Sequence, residues 1–514
     1  MFVFQESPLP PDSAGYKIVL TADPTLMADY RLLFDATLVS NQTTVTPELL
    51  VRALMLPYTR SPGLRARTAP LGLRRVEAAL LRAGFSTDDV IVVHPDNLPH
   101  VIGPDTLVIG VSTGEPAGLG LSSTTIVAIT GGRSFPAAMF QKMMRRIRLL
   151  RSRSPRARVI AGGPGSWQLA AQPDLRRSLG IDHVVTGYCE GNVVDIFNRL
   201  IAAEPLPEEL PGSPVSAGEI PPITRASSMG VTELSRGCGL GCAFCTLART
   251  PMLHIPPETI LTDVRTNLAT GIRDVCVISE DAFRYGGQGL EANPQALIAL
   301  LEQVRAVEGV RLIQTDHANI LSLSQYSDAD LARVRALMVG STGQRFPWVN
   351  IGVETASSRL LQANGGFTKM GPGIGADWPA LCAEQLRRFA RAGFLPTISI
   401  ILGMPGETDD DIRVTLDWMR SMSAEPLVAF PLLYAPIDGS DPVTRKDLRP
   451  LHWQLIRACF RLDLKWLPRL YRDNQRAGRV GLVKRSLMQM LGLAEMAFWR
   501  SMLVVRSRSA GGRP

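Results

Sequence analysis

No uninterrupted apolar run in this 514-residue chain reaches the ~18–20 residues that span a bilayer, so no membrane-crossing helix is expected. The opening segment Met1–Ser13 lacks the basic start and long apolar core of a secretory signal. Cysteine is sparse and odd in number, seven in all, and Cys189, Cys276, Cys382 and Cys459 stand singly. That pattern excludes a disulfide framework and fits a reducing cytosol. Acidic residues are the minority, 47 against 55 lysines and arginines, for a formal charge of +8. Much of the excess sits in arginine runs at Arg145–Arg158 and Arg500–Arg513. Solvated helix faces explain such runs; attraction to anionic substrates, nucleic acid or a membrane surface is the sharper alternative. No recognisable nucleic-acid module accompanies the charge, so no nucleic-acid partner is expected. The length suggests about three domains with an ordinary apolar core.

Three cysteines nonetheless crowd one short stretch. Cys238, Cys242 and Cys245 follow a C-x3-C-x2-C spacing, with glycines at 237, 239 and 241 that let the backbone turn tightly. Thiolates this close suit a common thiophilic centre. No fourth cysteine or histidine lies nearby to close a tetrahedral zinc site; His254 falls beyond the usual ligand spacing. Three sulfur ligands on an iron–sulfur cube would leave one iron open for a substrate or cofactor. A zinc knuckle or a chance cluster is the alternative.

From about 17 to 205, strand and helix signals alternate. Strands are expected at Tyr16–Thr21, Val90–Val93, Leu107–Val111, Arg158–Ala161 and Asp182–Val185. Helices are expected at Gly72–Ala83, Pro136–Ser152, Leu169–Leu179 and Gly191–Ile201. Buried β-branched runs between helices predict a parallel, doubly wound sheet. Ligands bind such sheets at the carboxyl ends of the strands. Glycine-rich loops fall there: Ser112–Gly120, Gly162–Trp167 and Thr186–Gly191. Residues 203–224 are proline-rich and read as a stiff, extended linker. Six strand candidates follow: Val231–Ser235, Val275–Glu280, Arg311–Thr315, Val349–Glu354, Thr397–Leu402 and Val428–Tyr434. Helices between them are expected at Pro257–Thr270, Pro294–Val307, Asp328–Leu337, Trp378–Ala392 and Asp409–Met422. Beyond 441 the chain is helical. Arg479–Val505 mixes apolar and basic residues, which reads as core or interface packing, with an interfacial helix as the alternative.

The triad, with the aromatic Phe244 before its last cysteine, resembles the signature of radical SAM enzymes. The resemblance implies a [4Fe–4S] cluster on Cys238, Cys242 and Cys245 whose open iron binds S-adenosylmethionine (SAM). It implies a partial (β/α)6 barrel with function at the strand C-termini. The glycine loops resemble the cobalamin-binding domain that precedes this core in one large subfamily. That implies cobalamin contacts at Ser112, Gly114, Gly162, Gly163, Gly187, Glu190 and Gly191. The D-x-H-x-x-G motif of methionine-synthase-like domains is absent; Asp96, His100 and Gly103 have the wrong spacing. The implied cofactor is base-off cobalamin without a histidine ligand, and His94 and His100 read as surface or loop histidines. The fold class is therefore α/β. A Rossmann-like cobalamin domain is expected at 1–205, a proline-rich linker at 206–227, the radical SAM core at 228–440 and a helical region at 441–514.

The same resemblance assigns site residues. Glu280, with Asp281 beside it, would hold the methionine ammonium, with an N-capping pair as the alternative. Glu354 and Ser357, in G-x-E-T-x-S, would hold ribose hydroxyls or the methionine carboxylate; Ser357 is otherwise a helix cap. Gly403 and Met404 would face the adenine, and Glu407 would cap the next helix. Tyr434 is a candidate to face the substrate, and Ser440 replaces the threonine of relatives. Cys276, Cys382 and Cys459 read as core residues. Cys189 reads likewise, with a ligand or radical-quenching role as its alternative. The implied activity is cobalamin-dependent methylation of an unactivated carbon or of phosphorus. One SAM would methylate the reduced cobalamin and a second would supply a 5′-deoxyadenosyl radical. A non-methylating cyclase, or a cobalamin-binding regulator without turnover, is the alternative. The loops Gly114–Gly120 and Gly162–Trp167 should then lie opposite Cys238–Cys245. The expected partners are a small-molecule or peptide substrate and an electron donor such as flavodoxin or ferredoxin, in the cytoplasm. Membrane-surface association is the less favoured reading.

Overall fold

The computed structural model describes residues 15–57, 63–371 and 377–509. Met1–Ser13 and Arg513, named above, lie outside them. The chain forms two compact units. One comprises Met1–Tyr30, Val39–Leu119 and Gly132–Ser228; the other comprises Arg31–Leu38, Gly120–Gly131 and Met229–Pro514.

In the first unit, short β-branched runs form β1 (Ile18–Ala22), β2 (Val90–Val92), β3 (Val108–Ser112), β4 (Arg158–Gly162) and β5 (His183–Thr186). They pair in parallel in the order β2-β1-β3-β4-β5, and β6 (Glu209–Pro211) adds at the edge. Alternation along each strand feeds two core layers. Val19, Ile91 and Ile109 pack with Phe140, Met144 and Ile147 of the helix Phe135–Leu150. Ile18, Leu20 and Val92 pack with Leu73 and Leu80 of Leu71–Arg82 and with Phe197 of Val193–Ile201. Phe140, only 1% exposed, is the kind of side chain whose truncation to alanine costs about 3–5 kcal/mol.

Two details depart from the sequence reading. The helix expected at Leu169–Leu179 is two, Ser166–Ala171 and Pro173–Ser178, because Pro173 cannot continue a helix but can begin one. The proline-rich stretch is extended but pinned. β6 pairs with β5, the Arg75 guanidinium donates to Pro221 O at 2.6 Å, and fully buried Arg74 donates to Ala226 O at 2.9 Å.

The second unit is a partial (β/α)6 barrel followed by a helical region. Its strands are β7 (Val231–Glu233), the antiparallel pair β8 (Ser235–Arg236) and β9 (Leu253–His254), then β10 (Asp274–Ile278), β11 (Leu312–Thr315), β12 (His317–Ala318), β13 (Trp348–Glu354), β14 (Leu395–Leu402) and β15 (Val428–Leu433). Parallel pairing runs β7-β10-β11 and β12-β13-β14-β15, so the third barrel strand is broken at Asp316. Helices Pro257–Ala269, Pro294–Ala306, Asp328–Val339, Trp378–Arg391 and Asp409–Ser421 connect the strands. Capping boxes at Ser327–Asp330 and Thr408–Asp411 fix two of their starts.

Two helices not anticipated contribute here. Phe34, in Leu33–Ser40, packs its ring edge-on against Trp348 at 5.5 Å. Thr125, in Leu121–Thr130, accepts a hydrogen bond from Leu433 N at 2.7 Å. The unit ends in two long helices, Pro450–Ala477 and Leu482–Ser509. Among the described residues, no helix is long and apolar enough to cross a membrane.

Candidate active site

The cysteine loop leaves the end of β8 and returns through β9, whose pairing closes its base. Gly237, Gly239 and Gly241 have φ of +75°, +72° and +79°, conformations a side chain would strain. At Gly237 a Cβ would also stand 2.5 Å from Pro251 O. Backbone bonds set the loop: Cys238 N donates to Thr250 O at 3.0 Å, Gly241 N to Ala248 O at 2.9 Å and Ala243 N to Asn364 O at 3.0 Å. The three cysteines share one apolar cluster with Leu121, Phe244, Leu360, Met404 and Tyr434. Burial raises all three thiol pKa values. Arg284 opposes this at Cys238 and Lys369 opposes it at Cys242.

Charged groups at the ends of β10, β11 and β13 surround this loop. Asp281 is fully buried and engaged: Ser322 Oγ donates to it at 2.5 Å, Asn319 N at 3.3 Å, and Arg284 lies 3.6 Å away. Arg284 donates to Cys238 O and reaches within 3.8 Å of Cys238 Sγ. Asp281 thus orients the arginine that holds the cysteine loop. No group among the described residues donates a hydrogen bond to Glu280. Burial raises its pKa, against the pull of His317. Asp316 Oδ1 accepts from Ser279 N at 3.0 Å and Oδ2 lies 3.2 Å from His317 Nδ1. The His317 side chain is 46% exposed. Burial would lower its pKa, but Asp316, Glu280 and Glu354 outweigh burial and raise it to about 9.

Glu354 closes β13 with φ of +66°, an uncommon backbone state for a glutamate. Its carboxylate accepts from Lys369 Nζ at 2.6 Å and from Ser399 Oγ at 2.8 Å. Burial would lower the pKa of Lys369; Glu354 and the nearby thiols Cys242 and Cys238 reverse this and raise it. A Cβ at Gly352 would stand 2.1 Å from Glu354 Oε1, so glycine there makes room for the pair. Ser357 caps the helix Ser358–Ala363: its Oγ accepts from Leu360 N at 3.2 Å and donates to Asp411 at 2.6 Å.

At the end of β14, Gly403 has φ of +81° and donates its N–H to Glu407 at 3.1 Å. Glu407 is not the helix cap expected from the sequence. Thr408 caps Asp409–Ser421, and Glu407 instead pairs with His452 Nε2 at 2.6 Å and accepts from Arg449 at 3.2 Å. Met404 and Tyr434 pack beside Phe244, and burial raises the Tyr434 phenol. Ser440 donates to Asp438 at 2.7 Å in a local turn.

In the first unit the glycine loops follow β3, β4 and β5. The first two interlock: a Cβ on Gly165 would stand 2.1 Å from Gly114 O, and one on Gly163 would stand 2.9 Å from Ser112 Oγ. Gln168 Oε1 accepts from Ala117 N at 3.0 Å and Leu119 N at 3.3 Å. Side-chain space is open at Gly162, where a Cβ would approach Val185 O no closer than 3.9 Å, and at Gly187, where a Cβ would meet nothing within 4 Å. Gly191 N donates to Ser213 O at 2.8 Å, with half-buried Glu190 beside it. Cys189 packs against the sheet's core. His94 is buried rather than superficial. Its Nδ1 accepts from Asp96 N at 3.2 Å at the start of the turn Pro95–His100, and burial lowers its pKa to about 4.

Residues 232–419 match the family model of the radical SAM superfamily. The chain carries a radical SAM domain. It is 25% identical over 271 residues to tRNA-2-methylthio-N(6)-dimethylallyladenosine synthase of Paracoccus denitrificans (strain Pd 1222), covering 52% of this chain and 55% of that protein. It is 25% identical over 322 residues to ribosomal protein uS12 methylthiotransferase RimO of Moorella thermoacetica, covering 59% and 68%. The chain thus spans just over half the length of the tRNA-modifying relative. Among solved structures, the fold is similar to the radical S-adenosylmethionine methyltransferase TsrM from Kitasatospora setae. The TM-score is 0.53 at 15% identity, over 82% of this chain and 75% of that one.

A radical SAM domain implies a [4Fe–4S] cluster and SAM, and the cysteine loop fits the cluster. Three thiols face one apolar patch with Arg284 and Lys369 supplying positive charge, which favours thiolates. Among the described residues, no three His, Cys, Asp or Glu side chains converge on one point as a single metal ion requires. A cubane gives each thiolate its own iron and asks for no such convergence. The radical SAM domain also uses residues the sequence reading passed over: Arg284, Asp316, His317, Lys369 and Ser399. One signal was present, since Lys369 is the single lysine between Lys142 and Lys446. The others pair across strands and carry no local mark.

Proposed function

We propose that this radical SAM enzyme is a cobalamin-dependent methyltransferase acting on an unactivated carbon or phosphorus centre. The observation that carries the reading is the pair of bare backbone positions, Gly162 and Gly187, at the carboxyl ends of β4 and β5. When bound, the cluster and SAM supply a 5′-deoxyadenosyl radical, and cobalamin supplies a transferable methyl group.

The chain's own residues then bind, orient and exclude water. Cys238, Cys242 and Cys245 hold the cluster. Arg284 and Lys369 partly oppose the burial that raises the thiol pKa values of Cys238 and Cys242. Glu280 has a carboxylate free for the SAM ammonium. Glu354 acts by fixing Lys369 rather than as a free ribose acceptor, and Ser357 positions the following turn as its cap. The backbone at Gly403 and Met404 faces the adenine, and Phe244, Met404 and Tyr434 dry the site. Ser112, Gly114, Gly162, Gly163, Gly187, Glu190 and Gly191 form the cobalamin loops, and no histidine ligates the metal. The substrate is a small molecule or peptide, the reductant a flavodoxin- or ferredoxin-like donor, and the setting cytoplasmic.

The methylthiotransferase relatives suggest sulfur insertion as a second reading. Such a reaction needs a protein-held sulfur source. Cys276, Cys382 and Cys459 are isolated and fully buried, and Cys189 lies in the other unit, which favours plain methylation. The test is anaerobic purification with added cobalamin, followed by metal analysis. The reading expects about four irons and one cobalt per chain. Full iron with no cobalt would overturn the cobalamin-dependent reading and leave a radical SAM enzyme of another kind.

A further inference from the structure

The apolar and basic mix of Arg479–Val505 predicts core or interface packing, with an interfacial helix as the alternative. The helix Leu482–Ser509 divides the apolar residues. Met488 packs against the core cluster that includes Leu470 and Tyr471, and Gln489 donates to Pro468 O at 3.4 Å. Leu482, Val483, Leu487, Met490, Leu491 and Phe498 are each at least 40% exposed. At ~100° per residue, these six positions fall within about half the helix circumference. An apolar face of this extent on a surface helix marks an interaction site.

Charge on the helix it packs against indicates the partner. Arg461, Lys465, Arg469, Arg472 and Arg476 recur at i, i+4, i+8, i+11 and i+15 on Pro450–Ala477, and all are exposed. The acidic residues of that span, Asp463 and Asp473, are buried. Lys484 and Arg500 add exposed cations on the last helix, against one exposed acid, Glu495. The two helices pack as an antiparallel hairpin through the contacts of Met488 and Gln489.

We propose that this hairpin docks on an anionic lipid bilayer. The apolar face over Leu482–Phe498 would enter the headgroup–acyl boundary, while the basic stripe gathers anionic headgroups. A nucleic acid would satisfy the cations but leave the apolar face in water, and among the described side chains that face is aliphatic apart from Phe498. A second copy would bring like-charged stripes together.

The test is flotation of the full-length protein with phosphatidylcholine vesicles, with and without phosphatidylglycerol. Binding to mixed vesicles should be at least about tenfold tighter than to pure phosphatidylcholine, and weaker at high salt. Leu487→Glu with Leu491→Glu should reduce that binding at least about tenfold while iron content and helicity hold. Arg461→Gln with Arg472→Gln and Arg476→Gln should remove the preference for phosphatidylglycerol. Failure to float with mixed vesicles, or unchanged binding in both variants, would overturn the proposal. So would a concentration-dependent dimer that the Leu487→Glu/Leu491→Glu variant abolishes, or tighter capture of an RNA oligonucleotide than of mixed vesicles.

Discussion

Lys369 Nζ and Glu354 Oε1 lie 2.6 Å apart, with neither side chain more than 9% exposed. Removing one member strands the other's charge in the interior, a loss of about 3–5 kcal/mol. Lys369→Met should therefore lower the urea midpoint of the apoprotein sharply. Removing Glu354 as well, as Glu354→Leu, should restore part of that stability. Iron retention should fall in both variants, because the positive charge beside Cys242 is gone in each. A Lys369→Met protein as stable as the parent would show that the pair is not what holds this turn.

Gly365 has φ of +79°, and a Cβ there would stand 2.4 Å from Gly241 O in the cysteine loop. Gly365→Ala should displace that loop and depress iron incorporation. Gly406→Ala is the matched control: φ is +75° but the surrounding space is open. It carries the backbone strain alone, about 1–2 kcal/mol, and should load iron normally. Equal iron content in the two variants would count against the contact.

The raised pKa of His317, about 9 against an ordinary 6.5, gives its charged form a stabilising role. That contribution is fully present below pH ~6.5 and is lost as pH rises through ~9. His317→Gln should therefore be less stable than the parent at pH 6 and equal to it near pH 10. Because the ring is half-exposed, solvent screening limits the difference to about 1 kcal/mol or less. Denaturation curves at the two pH values decide it; a gap that widens with pH would reverse the sign.

His94 Nδ1 is taken by the Asp96 backbone N–H, and burial keeps the ring neutral. His94→Gln and His100→Ala should leave the optical and EPR spectra of bound cobalamin unchanged. Nitrogen superhyperfine coupling from either histidine would contradict a cofactor without a histidine ligand.

Much of this molecule was legible because its strands are β-branched runs between amphipathic helices, and each expected barrel strand lies within two residues of an observed one. The cysteine triad was legible because spacing alone carries its chemistry. What escaped depends on distance in sequence. Leu33–Ser40 and Leu121–Thr130 sit amid the strands of the first sheet, yet Arg31–Leu38 and Gly120–Gly131 belong to the second unit. The third barrel strand was expected to end at Thr315; what the polar stretch Gln314–His317 hides is that pairing resumes at His317–Ala318, with His317 near Glu280 and Glu354. Glu407 reads locally as a cap because its real partners, Arg449 and His452, arrive from the next long helix.

Methyl transfer by a cobalamin-dependent radical SAM enzyme is read out by the fate of labelled SAM. The reconstituted protein should be incubated anaerobically with reductant and methyl-labelled SAM, and its nucleoside products quantified. The account predicts both 5′-deoxyadenosine and S-adenosylhomocysteine, the latter at least stoichiometric with bound cobalt even without substrate. It also predicts that Cys238→Ala, Cys242→Ala and Cys245→Ala each lose 5′-deoxyadenosine formation while retaining cobalt. Protein fully loaded with iron and cobalt that forms 5′-deoxyadenosine but no S-adenosylhomocysteine would contradict the methyltransferase assignment.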